Sequence, residues 1–348
     1  MKALFMVTGR GIGGDAAVAL NIANALSRYG FECEFALNHG AIGSLFKKNG
    51  IKWYETSIPQ AGGHAATKAT LAKGGIKTVK ASFEARKLFK KINPDIIVGT
   101  IGGGAIVGCT AAKMARIPSV GISATPSDSK VSKITTTIAL PESPLFKSKI
   151  KNKRVYNSYM PVNPDIINGN KENALEMMPS DFNPQLPTIL LSSGSTLFEK
   201  MALAAPKIRD SGIKANIIII GHPLDEKYLE FLQTDGIIYL GYIDWVRDLY
   251  KLTDFAIITD DGVMLHETIA CNLPIITLLR VKYGRYHNMG EVFKGAVVES
   301  DLENLDRTAN EFLKNINKTK DKASRYGKDV LESADKIAKI IANEATKK

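Results

Sequence analysis

The stretch that decides the fold is Asp254–Leu278, DFAIITDDGVMLHETIACNLPIITL. Phe255–Ile258 is a short apolar run, as in a strand buried on both faces of a parallel sheet. Asp260-Asp261-Gly262 makes a turn, Met264–Asn272 opens a helix, and Pro274 leads into a second apolar strand, Ile275–Leu278. This order puts free backbone N–H groups and the positive end of a helix at the carboxyl end of a sheet, which suits a phosphate. The groups concerned are those of Gly262, Val263 and Met264. Glu267 lies one turn further in, on a face otherwise made of Ile, Ala and Leu. A lone acid there is placed to accept hydrogen bonds from the two hydroxyls of a ribose. The paired acids Asp260-Asp261 invite a metal, but two acids at a strand end serve as cap and turn residue, and no metal is implied.

The same α/β pattern extends upstream. Thr188–Leu191 is a strand, and Ser192–Thr196 a small-residue turn in which Ser193, Gly194 and Ser195 offer hydroxyls and N–H groups to phosphate. A helix follows, then strands Asn216–Ile220 and Ile237–Leu240. Gly241-Tyr242-Ile243-Asp244 is the exit turn of the latter, with backbone groups of Tyr242 and Ile243 facing a base edge. Trp245–Leu252 is a short helix. Downstream, Arg285–Asn288 opens a cleft-facing helix, so that His287 and Asn288 reach a donor sugar. His266 reads as a structural residue; His39, His64 and His222 carry no signal.

The first half repeats the plan. Ala3–Val7 is a strand, Gly9–Gly14 a glycine turn, Ala16–Tyr29 a helix and Phe31–Leu37 the next strand. The turn satisfies GxGxxG, which fits a nicotinamide dinucleotide site as well as a plain tight turn. Asp15 ends it, as a helix N-cap or as a general base facing the cleft. Gly62-Gly63 and Gly74-Gly75 bracket a short segment that could move as a unit, and Glu84–Lys91 is a separate helix. After the strand Asp95–Gly99, Gly102-Gly103-Gly104 is a second glycine turn before the helix Ala105–Ala115. Gly13, Gly14, Gly103 and Gly104 are the candidate acceptor contacts. Pro118–Ile122 and Thr136–Leu140 are further strands. Lys147, Lys149, Lys151 and Lys153 alternate, forming a basic stripe if extended.

The chain has 348 residues, 45% of them hydrophobic, and so supports two domains with ordinary cores. A polar stretch from Met160 to Pro187 marks the boundary. The expected domains are 1–160 and 161–327, with a last helix from about 328 to the end crossing back to the first. Three dispersed cysteines exclude a disulfide framework and a zinc cluster, and point to a reducing cytoplasm. The N-terminal apolar run is too short for a signal peptide, and no stretch spans a membrane. The net charge of +11 fits a basic surface, an anionic substrate or an anionic membrane. No arginine cluster with interleaved aromatics supports nucleic acid.

Order and spacing over about residues 3–320 resemble the two-domain GT-B glycosyltransferases, and among them the MurG family. The likeness is carried by the N-terminal glycine loop, by Asn93-Pro-Asp-Ile-Ile-Val-Gly-Thr-Ile-Gly-Gly-Gly, by Pro161-Val162, by Ser193-Gly194-Ser195, by Gly241-Tyr-Ile-Asp, and by Glu267 seven residues before Pro274. It implies two Rossmann-like domains whose parallel sheets face a central cleft, the first binding the acceptor and the second the donor. It also implies an inverting, metal-independent, cofactor-free transfer of N-acetylglucosamine from a UDP-sugar to a polyprenyl-linked acceptor at the cytoplasmic face of the membrane, with Asp15 as base. The sequence departs from the family at four places, one being that the segment from Gly262 to Glu267 is a residue shorter. Asp15 stands at a histidine position, Asn163 at an arginine position, and Ser123-Ala124-Thr125-Pro126 replaces His-Glu-Gln-Asn on the acceptor side. The acceptor can therefore differ from lipid II, for instance a pseudomurein precursor. Three other readings remain: a UDP-sugar 2-epimerase, a non-catalytic UDP-sugar-binding subunit of a membrane complex, and a nicotinamide-dependent oxidoreductase, for which no catalytic Tyr-Lys pair is found.

Overall fold

The computed structural model describes residues 1–9, 11–59, 68–146, 154–260, 262–281 and 287–347, and of 68–76 the backbone only. The lysine stripe at 147–153 and the Gly62-Gly63 pair lie outside the described residues. Two compact units share the chain, Met1–Pro161 with Glu332–Lys348, and Val162–Leu331.

In the first unit seven strands form one sheet: β1 (Lys2–Val7), β2 (Glu32–Asn38), β3 (Tyr54–Thr56), β4 (Ile96–Thr100), β5 (Ser119–Ser123), β6 (Thr136–Ala139) and β7 (Val155–Asn157). Their order is β3-β2-β1-β4-β5-β6-β7, every pair parallel. Ala3–Val7 are fully buried, and Phe5 pairs in register with Phe35 on one side and Val98 on the other. Such runs need helices on both faces. These are α1 (Gly14–Ser27), α2 (Ser44–Lys48), α3 (Lys68–Ile92) and α4 (Ile101–Ala115). The strand order reverses between β1 and β4, so the loops after these two strands leave in opposite directions and open a crevice.

Two expectations fail here. The Gly74-Gly75 pair does not end a segment: α3 runs through it and absorbs the separate helix expected at Glu84–Lys91. Each glycine costs about 1 kcal/mol against alanine. Downstream, Ala81, Ala85, Phe89 and Ile92 recur at helical spacing and are buried in the core with Leu4, Ile97 and Val107, which outweighs that cost. The second failure is β7, a three-residue edge strand that the sequence reading passed over.

The second unit holds β8 (Thr188–Leu197), β9 (Asn216–Pro223), β10 (Ile238–Gly241), β11 (Phe255–Thr259), β12 (Ile275–Leu278) and β13 (Val297–Ser300). The order is β10-β9-β8-β11-β12-β13, again parallel, with its reversal between β8 and β11. Its helices are α5 (Lys171–Glu176), α6 (Glu199–Arg209), α7 (Leu229–Leu232), α8 (Val246–Leu249), α9 (Val263–Ala270), α10 (Met289–Val292), α11 (Leu305–Lys314) and α12 (Ile316–Leu331). Ile189, Leu191, Ile219, Ile257 and Ile276 meet Met201, Leu232 and Phe312 in one core. Asn163 accepts a hydrogen bond from the Asp165 amide and caps the short 3-10 helix Pro164–Ile167.

Ser192–Thr196 is not a turn. β8 continues through it, bulged between Ser192 and Thr196, and pairs with β9 as far as Leu197 and Pro223. Gly194, at φ 94°, takes the conformation the bulge requires. The final helix is shorter than expected. Ile316–Leu331 forms α12 in the second unit, and α13 (Ser333–Thr346) belongs to the first. There Arg28 and Tyr29 bond to Asp335 at 2.9 and 3.0 Å, and Ser333 Oγ donates to Met160 O. Among the described residues no helix is long and apolar enough to cross a membrane.

Candidate functional site

In an open parallel sheet, ligands bind outside the carboxyl ends of the strands where the order reverses. In the second unit that point lies between the end of β8, with Ser193–Ser195, and the end of β11, with Asp260–Gly262. Gly262 is the N-cap of α9 at φ 119° and ψ 171°, a region essentially reserved for glycine. A side chain there would strain the entry into the helix. Gly262, Val263 and Met264 all keep exposed surface at the helix start. Behind them His266 is fully buried, edge-on to Phe293 at 5.3 Å, with Nδ1 3.3 Å from Gly262 O. Asp260 is buried and accepts from the Arg280 amide at 3.4 Å, and Asp261 lies outside the described residues.

Glu267 follows on the same helix. Its carboxylate makes no hydrogen bond or ion pair among the described residues, and burial alone pushes its pKa from 4.5 up to about 7. Its charge in turn helps raise Tyr250 and Cys271, after burial as the larger cause in each. Some of the residue's surface stays open to solvent. An unsatisfied acid in an apolar setting is costly unless a ligand supplies donors.

The other expected donor contacts are placed unevenly. Ser193 is buried, and its hydroxyl is committed within the bulge, donating to Thr196 O at 2.9 Å and accepting from Phe198 N at 3.1 Å. The Gly194 amide donates to Ser192 Oγ at 3.0 Å. Ser195 is the exposed member of the three. Tyr242 is 51% exposed and Ile243 half-buried, at the end of β10. His287 is buried and Asn288 is the N-cap of α10; the Arg285 and Tyr286 of that loop lie outside the described residues.

In the first unit Gly13, not Asp15, is the N-cap of α1, so the cap reading of Asp15 is corrected: it lies in the first helical turn and is half-buried. Gly13 and Gly14 are exposed. Gly103 and Gly104 are buried instead. A Cβ on Gly103 would lie 2.2 Å from Pro59 O, and one on Gly104 2.3 Å from Met6 O. The Gly104 amide donates to Thr8 Oγ1 and the Gly102 amide to Asp128 Oδ2, each at 2.6 Å. The second glycine turn is thus a close-packing device whose amides at 102 and 104 are engaged internally.

Two residues escaped the sequence reading. Asp128 is fully buried and also accepts from Ser123 Oγ at 2.8 Å and Thr125 N at 2.9 Å; burial pushes its carboxyl up while these donors pull it down. Its signal was its place three residues after Thr125 in a Ser/Thr-rich turn. His222 stacks on Tyr242, and each directly follows a glycine near the carboxyl end of a strand, His222 as the last residue but one of β9 and Tyr242 just after β10.

With this geometry in place, the comparisons with known proteins are specific. Residues 5–121 match the glycosyltransferase family 28 N-terminal domain. The full chain covers 99% of the crystal structure of Acinetobacter baumannii MurG over 99% of its own length, at 16% identity and TM-score 0.63. A UDP-GlcNAc 2-epimerase from Methanocaldococcus jannaschii aligns over 99% of this chain and 100% of that one, at 16% identity and TM-score 0.64. The fold is GT-B. In sequence, the chain is similar to UDP-N-acetylglucosamine--N-acetylmuramyl-(pentapeptide) pyrophosphoryl-undecaprenol N-acetylglucosamine transferases. It is 28% identical over 66% of its length to that of Clostridium tetani and 26% identical over 55% to that of Clostridium botulinum. The matches span 65% and 53% of those two relatives. The chain has the GT-B fold and is similar in sequence to the MurG transferases.

Proposed function

We propose that the chain is an inverting glycosyltransferase that moves N-acetylglucosamine, or a related sugar, from a UDP-sugar to a polyprenyl-linked cell-wall or glycoconjugate precursor. The observation that carries the reading is Glu267, a carboxylate without a partner among the described residues, on the helix that starts at the reversal point of the second sheet. A ribose supplies the two donors it lacks, and the start of α9 with Ser195 takes the diphosphate. The acceptor hydroxyl attacks the anomeric carbon, the bond from that carbon to the diphosphate oxygen breaks, and UDP leaves. Asp15 takes the hydroxyl proton. Helix-start N–H groups stabilise the charge gathering on UDP, so the reaction requires no metal.

The acceptor side has its own character. Ser123-Ala124-Thr125 is folded around Asp128, which supports an acceptor other than lipid II. Contact with the cytoplasmic face of the membrane is supported by α3. Val79 and Phe83 are 58% and 52% exposed on it, with Lys80, Lys87 and Lys90 on the same face.

The test is a thermal-shift panel of UDP, UDP-N-acetylglucosamine, GDP, NAD and NADP. A ligand at about 100-fold its dissociation constant adds about 2.7 kcal/mol. UDP and its sugar should stabilise the protein; stabilisation by NAD or NADP alone would end the reading. The shared fold of a UDP-GlcNAc 2-epimerase supports a second one. Incubation with UDP-N-acetylglucosamine alone separates them, since an epimerase yields the epimer and a transferase releases UDP slowly by hydrolysis.

A further inference from the structure

We propose that His222 is a further donor-binding residue, its imidazole and the Tyr242 ring forming a stacked platform for the base of a nucleoside diphosphate. This rests on the donor-site reading above and extends it to a residue outside that site. The two rings are 5.3 Å apart between centroids and only 6° from parallel. Both are exposed. His222 is the last residue but one of β9 and Tyr242 directly follows the neighbouring β10, on the carboxyl edge of the sheet where Ser195 and the start of α9 also lie.

The platform is tied to the bulge of β8 that faces the diphosphate. His222 pairs in register with Thr196, the residue after Ser195. Gly221 enables this: at φ 126° its Cα passes so near the bulge that a Cβ would sit 2.8 Å from Gly194 O. Ser192 Oγ donates to Ile220 O at 3.2 Å, and Tyr239 Oη donates to Gly221 O at 3.2 Å. Bonds from both neighbouring strands therefore hold the end of β9 that carries His222. β10 lies two strand spacings, about 10 Å, from β8. A nucleoside diphosphate laid across the strand ends, phosphates at Ser195 and base at Tyr242, covers that span. A flat pair fixed in advance stacks a base without losing freedom on binding, and stacking accepts any base because each has a π face.

Calorimetric titration with UDP, and displacement of UDP by inorganic pyrophosphate as a probe lacking a base, test this. His222→Ala should weaken UDP about tenfold, within the range for loss of one base stack, and Tyr242→Ala at least as much. His222→Phe, which keeps a flat ring, should bind UDP nearly as the wild type does. The pyrophosphate constant should not change in any of the three. His222→Ala with wild-type UDP affinity overturns the proposal, as does His222→Phe as weak as His222→Ala, or equal loss of UDP and pyrophosphate. A wild-type chain that binds no nucleoside diphosphate overturns the donor-site reading itself, and is told apart because no variant is needed to see it. Thermal melts confirm that each variant is folded, and Tyr242→Ala decides should His222→Ala not fold.

Discussion

The Gly102 amide donates a 2.6 Å hydrogen bond to the carboxylate of Asp128, joining the end of β4 to the turn after β5. Gly102 sits at φ 53° and ψ −127°, beside Ile101 at φ 46°. Two positive-φ residues in succession are a strained entry into a helix, and the buried carboxylate is what holds them. Asp128→Ala would leave the buried Gly102 N–H and Ser123 hydroxyl without their acceptor. The expected cost is about 2–4 kcal/mol, read as a lower midpoint in urea unfolding. A midpoint equal to wild type would mean that water replaces the carboxylate without loss.

Glu267 sets stability against binding. Its pKa is about 7 in the folded chain against 4.5 for an ordinary glutamate. A raised acid contributes fully to stability below about pH 4.5, where both states are protonated, and the contribution is gone once pH passes about 7. At pH 8 the ligand-free protein is thus held about 3 kcal/mol below its potential. Glu267→Gln should raise stability by about 2–3 kcal/mol at pH 8 and leave it unchanged near pH 4.5. Glu267→Ala should lose about 2–4 kcal/mol of UDP affinity at pH 8, through two charge-assisted bonds. UDP titrations that do not distinguish the variants from wild type would remove Glu267 from the site.

How far the sequence could be read depended on what each signal measures. Buried parallel strands announce themselves as apolar runs, so β1, β4, β11 and β12 fell where Ala3–Val7, Asp95–Gly99, Phe255–Ile258 and Ile275–Leu278 placed them, within a residue. Two edge strands lack such a run, β7 as Val-Tyr-Asn and β13 as Val-Val-Glu-Ser, and both went unread, whereas the edge strand β10 was read at Ile237–Leu240. Glycine misled twice, because its meaning depends on tertiary packing. At 74–75 it lies inside α3, and at 103–104 it admits the backbone of Pro59 and Met6. The setting of Glu267 was legible because a lone acid on an apolar face is a local pattern. The settings of His222 and Asp128 were not, since only the fold brings their partners near.

Asp15 is not the N-cap of α1, so its replacement removes no cap. In the first turn of α1, a negative charge interacts favourably with the helix dipole by about 0.3–1 kcal/mol. Asp15→Asn, which keeps the shape of the side chain, should leave UDP binding intact. As a general base it should account for about 100- to 10,000-fold in turnover. Equal falls in turnover and UDP affinity would assign it to the donor instead.

The glycines of the first unit separate packing from contact. Gly104→Ala puts a Cβ 2.3 Å from Met6 O, and backbone cannot step aside as a side chain would. Its cost should be about 1–3 kcal/mol or more, seen in thermal melts. A Cβ on Gly13 meets nothing within 4 Å, and φ there is −102°. Gly13→Ala should melt as wild type does. If Gly13 touches the acceptor, that variant should raise the acceptor KM while UDP binding stays constant; an unaltered KM would remove it from the acceptor site.

The exposed face of α3 decides the membrane reading. Val79, Phe83, Lys87 and Lys90 follow at i, i+4, i+8 and i+11, and Lys80 lies beside them. The acid nearest in sequence, Glu84, turns its carboxylate to Ser57, at 2.6 Å from the hydroxyl and 3.0 Å from the amide, and to His39 Nε2 at 2.6 Å, so it does not cancel the lysines. Each lysine near an anionic surface contributes about 1 kcal/mol, and the two apolar side chains add burial that salt does not screen. Sedimentation with phosphatidylserine vesicles should exceed that with neutral ones, and should fall by about tenfold or more in Val79→Ser/Phe83→Ser, which removes apolar burial worth over 1.4 kcal/mol. Lys80→Glu/Lys87→Glu should lose binding that wild type shows at low salt, and at high salt the two should converge, because only the charge term is screened. Equal recovery on neutral and anionic vesicles, or a serine variant that still sediments like wild type, would place any membrane contact elsewhere on the chain.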